Sequence, residues 1–576
     1  MKNTRLDRSL ARNARRLTLH AAARLLPHLL PRLLPLSAAL LAGCMVGPDY
    51  HRPLVNTPAQ WKELPGWTQA EPDAAQGPKG EWWTAFQDPL LDELEPLVAV
   101  SNQSVRQSYA NYQEALAEVR VARASLFPTL GVTGSATRER SGSSSSTLSS
   151  STLQALGQSS GARIVNSGSL EANVSWAPDF WGQVRRQIEE QSATAQASEA
   201  TLANATLSEQ IALANAVIDL RVTDADIDIL TQTVAAYQDF LRVVSNQDSA
   251  GTVAPSDVIS ARTQLESAQA NLIALGVSRA QYEHAIAVLV GRNPEDMTIP
   301  HSTKLPTLPV IPAGVPSTIL QRRPDVATAE RQMASANASI GVAISAYYPS
   351  ISLSALDGFT QSPLSGLLRI GNYVWSLGAS ATETIFDGGE RSGEVAAARA
   401  SYDAAVANYR GTVLSAFESV ENDLAGLRIL SQQSDMLDAV VRDATRGAAI
   451  AQDEYQAGTV DFTTVATAQA TQLTSQQTAL NVQQTRLLDA AALIGDLGGG
   501  WNGQLHDALH PQRVDSGASG AVAGPPAASG AGAAPDARGN TAINSTSSAT
   551  SGTMSSETSS ATNNATSNAT SNAASQ

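Results

Sequence analysis

Residues 211–244, IALANAVIDLRVTDADIDILTQTVAAYQDFLRVV, decide the fold. Leu213, Leu220, Ile227, Val234 and Leu241 recur every seven residues, with Val217, Leu230 and Tyr237 at the intervening steps of three or four. That is the seam of a coiled coil, and a strict period of seven favours a left-handed supercoil. No proline interrupts 183–246, so this segment predicts one helix of roughly 95 Å at about 1.5 Å per residue. No globular domain needs such a helix.

Outward from this helix the chain repeats itself. Gly251-Thr252-Val253 follows it, then Ala261-Arg262-Thr263-Gln264-Leu265; Gly458-Thr459-Val460 lies 207 residues later, then Ala468-Gln469-Ala470-Thr471-Gln472-Leu473. Upstream, Phe180-Trp181-Gly182-Gln183 corresponds to Phe386-Asp387-Gly388-Gly389 at an offset of 206, and Leu126-Phe127-Pro128 to Tyr347-Tyr348-Pro349 at 221. The extra 15 residues fit a loop in the Ser/Gly-rich stretch around 141–161. Two copies of roughly 200 residues make a duplication rather than a solenoid, a first repeat over 89–300 and a second over 301–510. Each reads helix, strand, loop, strand, long helix, Gly-Thr-Val turn, long helix.

The expected strands are 129–137, 170–177, 350–356 and 374–385. In the second, Leu170, Ala172, Val174 and Trp176 alternate with Glu171, Asn173 and Ser175; in the fourth, Val374, Ser376, Gly378, Ser380 and Thr382 leave only a weak alternation. Their lengths bracket the about 9–11 residues of a tilted membrane strand, and beyond the leader no apolar run reaches the about 18 of a spanning helix. Four strands close no barrel, and unpaired edges are prohibitive in lipid. The membrane reading therefore requires an oligomer, and three copies would give twelve strands. The other reading is two soluble hairpins capping helical bundles.

Composition excludes other classes. Charged residues are 16% of the 576 and aromatics 5%, so no large aromatic-anchored core is expected. A single cysteine allows no intramolecular disulfide and no cysteine-cluster metal site. The net charge of −15 argues against nucleic-acid binding. Residues 1–43 carry Lys2, Arg5, Arg8, Arg12, Arg15, Arg16, Arg24 and Arg32 against Asp7, a net +7 that leaves −22 on the remainder.

That basic stretch, followed by the apolar run 33–41, has the layout of a secretory signal peptide. It ends in Leu41-Ala42-Gly43-Cys44, which resembles the lipobox of bacterial lipoproteins. The resemblance implies cleavage before Cys44 and acylation of its sulfur and new amine. Several acyl chains at about 0.8 kcal/mol per buried CH₂ make a durable anchor. Met45 in place of an aspartate implies export to the outer membrane. Residues 44–88 read as a lipidated, irregular arm with tryptophans 61, 67, 82 and 83. Residues 511–576, rich in Ser, Thr, Asn and Ala, have too few apolar side chains to fold.

Cys44-Met45-Val46-Gly47-Pro48-Asp49-Tyr50-His51-Arg52-Pro53 resembles the opening of outer-membrane efflux lipoproteins, the NodT branch of the TolC-like outer-membrane factors. Arg323-Pro324-Asp325-Val326 with Ala329-Glu330 and Ile340-Gly341 resembles the opening of their second repeat. Trp375-Ser376-Leu377-Gly378 and Ile385-Phe386-Asp387-Gly388-Gly389 resemble its hairpin, and Thr412-Val413-Leu414, Ala416-Phe417 and Val420-Glu421 continue the match. The resemblance covers roughly 44–500. It implies a mainly α fold with a small membrane β-barrel: a homotrimer in the cell outer membrane whose protomers share one twelve-stranded barrel above a periplasmic α-barrel of coiled helices. It further implies a resistance–nodulation–division pump in the inner membrane and a periplasmic adaptor as partners, and passive conduction of small toxic compounds, with no cofactor and no catalysis.

In such families the turns Gly251-Thr252-Val253 and Gly458-Thr459-Val460 lie at the periplasmic tip, where adaptors dock. Relatives often carry aspartates on the helix after the second turn as a gate. The corresponding positions here are Thr464 and Thr467, both neutral, while Asp257 after the first turn is acidic. Three copies of Asp257 would form a cation-attracting ring; equally, Asp257 complements a helix N-terminus, and the two readings are compatible. His506 and His510 lack a third ligand or a base, and Gly498-Gly499-Gly500 lacks a phosphate-loop lysine and reads as a helix stop. Two alternatives stand beside the efflux duct: a TolC-like duct for protein secretion, and a non-conducting coiled-coil lipoprotein.

Overall fold

The computed structural model describes residues 45–53, 61–63, 80–141, 163–311, 322–501 and 503–506. The Asp88 carboxylate accepts from Leu90 N and starts α1 (Pro89–Ser101); Asn102 accepts from Ser104 N and Val105 N and starts α2 (Gln103–Ala124). The hairpin β1 (Thr129–Ser141) and β2 (Arg163–Trp176) leads into α3 (Gln183–Ser249) and α4 (Pro255–Leu289). The second repeat is α5 (Pro324–Ser345), β3 (Ser350–Gln361), β4 (Tyr373–Thr382), α6 (Glu390–Gln456) and α7 (Phe462–Asp496).

The duplication is metrically close. α3 and α6 have 67 residues each, α4 and α7 have 35, and α2 and α5 have 22. The residues that precede the two 67-residue helices are Gly182 and Gly389. The expected pairing of Gly182 with Gly388 was thus one residue out of frame: the offset is already 207 there, and the insertion is 14 residues rather than 15.

The elements stand side by side as a wall of four columns. α3 packs on α2 and α4 of its own repeat and on α5 and α7 of the other, and α6 packs on α5 and α7. The strands keep that order, β1-β2-β3-β4, all antiparallel. One edge of the wall is therefore β1 with α2 and α4, and the other is β4 with α6. Within the first edge, α4 ends where α2 begins: Asn102 Nδ2 donates to Leu289 O at 2.9 Å, and a Cβ on Gly291 would lie 2.3 Å from Ser101 O. The second repeat does the same, with Arg323 Nη1 donating to Asp496 O at 3.0 Å and Gly498 equally close to Arg322 O. Two shorter helices thus stack end to end beside each long one. Gly498-Gly499-Gly500 is the helix stop expected, all three with positive φ just after α7.

The seam positions Leu213, Val217, Leu220, Leu230, Val234 and Tyr237 are buried, with Ile227 and Leu241 half-buried. Each fully buried side chain of this size contributes about 1.5–3 kcal/mol. The expectation of no aromatic-anchored core is corrected. Trp82 and Phe86 are fully buried, Trp61 and Trp83 nearly so, and Trp82 meets Trp83 and Phe86 edge-on at 6.0 and 6.2 Å. They pack in one cluster with Leu91, Leu94, Leu213 and Val217. The aromatics are few, but the arm concentrates them at one place, which a percentage hides. Trp67 lies outside the described residues. The segment joining the repeats is held by the fully buried Asp224, which accepts from Arg279 Nε at 2.8 Å and Ser302 N at 2.9 Å.

The strands run longer than expected, except β4, which ends at Thr382 rather than 385. The ladder explains the extension: β1 and β2 pair from Thr129↔Ser175 to Ser141↔Arg163, so polar residues past the apolar stretch stay in register. After Thr382, Asp387 turns the chain instead, accepting from Gly389 N at 2.9 Å and pairing with Arg391. Among the described residues, no helix is long and apolar enough to cross a membrane.

Candidate functional site

The sheet sorts its side chains by face. The cross-strand register puts Leu130, Val132, Leu170, Val174, Leu353 and Phe359 on one face with Tyr373, Trp375 and Leu377, and Thr133, Ser135, Ser169, Asn173, Ser352, Ser354, Ser376 and Ser380 on the other. The weak alternation expected in β4 came from following its polar row; the intervening residues Tyr373, Trp375, Leu377, Ala379 and Ala381 complete an apolar row. Asp357, opposite Ala172 and Trp375, interrupts that face. Leu130, Val132, Trp375 and Leu377 are 65–77% exposed in the single chain. Such an apolar face with aromatic residues toward its ends (Trp176 at one, Phe359 and Tyr373 at the other) suits a bilayer, and the hydroxyl-rich face suits water.

The arm explains its own motif. Val46 N donates to Trp181 O at 3.1 Å, at the foot of α3. Arg186, whose side chain is 1% exposed, donates through Nε to Val46 O, through Nη2 to Gly47 O and Asp49 Oδ1, and through Nη1 to Glu189 Oε2, at 2.7–3.2 Å. Gly47 has φ 96°, and a Cβ there would sit 2.5 Å from Gly341 Cα, so no other residue fits. Tyr50 donates its hydroxyl to Glu330 Oε1 at 2.5 Å, and Arg52 Nη2 donates to Tyr409 OH at 3.0 Å. Burial, then the Glu330 contact, push the Tyr50 phenol well above its usual range. Cys44 lies outside the described residues, but Met45 beside it rests on Gly182, at the junction of strands and helices.

At the far end of the long helices the two turns are twins. Gly251 N donates to Asp248 O and Thr252 N to Gln247 O; Gly458 N donates to Tyr455 O and Thr459 N to Glu454 O, all within 2.8–3.0 Å. This is a Schellman cap, and Gly251 and Gly458, at φ 75° and 76°, supply its left-handed residue. The Thr252 and Thr459 hydroxyls donate to the same Gln247 and Glu454 carbonyls at 2.9 Å. Val253 and Val460 pack, half-buried, on a cluster of Phe240, Val244, Tyr455, Phe462 and Val465. Phe240 lies edge-on to Tyr455 at 5.2 Å and stacks on Phe462 at 5.6 Å.

Asp257 is half-buried in the first turn of α4. It sits close enough to Tyr455 for its charge to add to the effect of burial in raising that phenol's pKa. Thr464 occupies the equivalent place in α7, but its N–H and hydroxyl both donate to Asp461 Oδ1, at 2.9 and 2.7 Å. The Thr467 hydroxyl donates to Thr463 O at 2.8 Å. Both threonines are turned onto their own helix. The second turn's acid is thus Asp461, which sequence reasoning passed over. The Thr464 contacts hold its carboxyl below the usual range. Its signal was legible: an aspartate before a helix with a threonine three residues on is an N-cap. Above the tip, Gln264 of α4 and Thr467, Thr471 and Ser475 of α7 line an open groove of about 590 Å³.

Among the described residues no group of three or more His, Cys, Asp or Glu side chains is placed to hold a metal ion. His506 N donates to Glu199 Oε2 at 2.9 Å and its ring nitrogen contacts Glu199 as well; it is not helical, and His510 lies outside the described residues.

A sheet with one apolar and one hydroxyl-rich face, extended by helices of about 100 Å, is the wall of a duct. The outer membrane efflux protein family model matches residues 96–292 and 315–499. The chain is 29% identical over 484 residues to the probable efflux pump outer membrane protein TtgC of Pseudomonas putida, covering 84% of this chain and 98% of that one. It is 31% identical over 473 residues to the solvent efflux pump outer membrane protein SrpC of the same species, covering 80% and 97%. The solved outer-membrane channel OprN superposes with a TM-score of 0.72 at 27% identity, over 80% of this chain and all of that one. Wall, duplication and likeness agree: the chain belongs to the outer membrane efflux protein family and is an outer-membrane channel of tripartite efflux systems.

Proposed function

We propose that three copies of the chain close into one duct, tethered by acylated Cys44 and joined at its tip to a periplasmic adaptor and a resistance–nodulation–division pump. The observation that carries the trimer is that both edges of the wall are uncovered. On one edge Tyr109, Val121, Ile259, Ile273, Val277 and Val288 are exposed, and on the other Leu414, Ile429, Met436, Val440 and Ile450. β1 and β4 each have one unpaired side in the same two columns. Edge strands left open in lipid are prohibitive, and cyclic closure pairs each with the next copy's. Four strands per copy give a barrel of twelve.

The Arg186 contacts support the tether, because they fix Met45 where strands give way to helices, the level of the inner-leaflet headgroups. The turns Gly251-Thr252-Val253 and Gly458-Thr459-Val460, whose glycines and threonines are exposed, suit, when repeated three times, an adaptor with matching tips. Transport is passive: the pump drives small toxic compounds into the duct, and the hydroxyl-rich wall offers no tight site to delay them. Asp257 contributes a ring of three charges at the tip. In planar bilayers the Asp257→Ala variant is expected to keep its conductance and lose cation preference by a few-fold, as charged constrictions dictate. Unchanged selectivity would remove Asp257 from the gate. Deleting the gene is expected to raise susceptibility to small apolar toxicants while leaving protein secretion intact; the opposite pattern would favour a secretion duct.

A further inference from the structure

The hairpin end of the sheet carries chemistry that conduction does not use. Arg138 and Arg140 end the outward row of β1, after Leu130, Val132, Gly134 and Ala136. Both are exposed, and neither makes an ion pair with any described residue. Glu139 between them belongs to the opposite face, paired with Val165. Across the ladder from Arg138 stands Asn166, and next to that, on the same face, is Gly168. The segment 362–372 folds back over this face, so that a Cβ on Gly168 would lie only 2.2 Å from Leu364 Cδ1. Between the segment and β1 lies a cavity of about 360 Å³, whose lining includes Ala136, Arg138, Asn166, Leu364 and Ser365.

Height identifies what meets this cavity. Arg138 is nine residues beyond Thr129, about 30 Å along the strand, and a tilt of about 40° makes that about 23 Å, the top of an apolar band about 25 Å tall. The strand end opposite the helices faces the outer leaflet. At that level a guanidinium costs little and stands among the headgroups, where arginine takes a phosphate through two parallel N–H bonds. Leu364 and Ala136 supply an apolar shelf beside the cationic and amide groups. A free anion has no use for the shelf; a lipid whose phosphate adjoins its acyl chains fits both.

We propose that Arg138, Arg140 and Asn166, with the 362–372 segment, form one site per copy for the phosphorylated headgroup of an outer-leaflet glycolipid. The site rests on the barrel reading of the sheet, and conductance tests that reading separately. The full-chain protein in detergent would be titrated with bisphosphorylated lipid A and with the same lipid stripped of its phosphates, and bound lipid counted by native mass spectrometry. The wild type is expected to bind the phosphorylated form and the Arg138→Gln/Arg140→Gln variant at least about tenfold more weakly, the size of one lost charge-assisted contact. Bilayer conductance is expected to be unchanged. Should the variant also lose conductance, an Arg138→Lys/Arg140→Lys variant decides: recovered lipid binding upholds the site, and no recovery overturns it. Equal binding of the dephosphorylated lipid, equal binding by the glutamine variant, or displacement of the lipid by millimolar inorganic phosphate would each overturn it.

Discussion

Glu95 is wholly inaccessible in α1, and both its carboxylate oxygens lack a hydrogen-bond partner among the described residues. Burial alone pushes its pKa up to about 9 from an ordinary 4.5. The folded state therefore keeps a proton that the unfolded chain gives up. Its contribution to stability is full below about pH 4.5 and falls as pH rises toward 9, by about 1.4 kcal/mol per pH unit where only the unfolded state has ionised. Glu95→Gln, which keeps the shape and removes the titration, is expected to flatten this slope: its heat-unfolding temperature should gain on the wild type between pH 5 and pH 8. Parallel curves over that interval would contradict a protonated Glu95. Residues of this kind were the least legible in the sequence. Arg186 meets oxygens about 140 positions away, and nothing near Arg186 in the chain announces them. The reading of Cys44 rests on four adjacent residues alone, and it lies outside the described residues; Asp461 would have been legible had local capping been weighed before gate charge.

The helices were legible as elements because their seam repeats every seven residues over a stretch without proline, and their twin turns carry the same three letters. The strands were legible in place but not in face. In β4, Ser, Gly and Ala alternate with so little contrast that only pairing with β3 separates the two rows. The end-to-end joints were not visible, since Gly291 and Gly498 look like ordinary helix stops until Ser101 and Arg322 are brought against them. These joints yield a prediction. A methyl at Gly498 would meet a carbonyl at 2.3 Å and require a left-handed alanine, so Gly498→Ala should cost about 2 kcal/mol or more. Gly276→Ala, in open space within α4, should cost nothing or stabilise slightly. Heat unfolding of the two variants checks the contrast, and equal effects would mean the joint is looser than its geometry.

At the scale of the molecule, four columns with open edges explain properties that composition only hinted at. Few charges and many hydroxyl and alanine side chains suit helices that face water on both sides of a thin wall. The copy number was never readable from one chain: four strands required partners, and only the resemblance said three. The single chain exposes Ile429 and Met436, seven residues apart on α6, at 53% and 68%. Closure around three copies must cover them. Single-channel recording on the purified full chain tests this most directly. The wild type is predicted to give uniform conductance steps, and an Ile429→Glu/Met436→Glu variant, which places charges on the closing edge, to give none. Undiminished steps from that variant, or a silent wild type, would contradict a duct closed edge to edge.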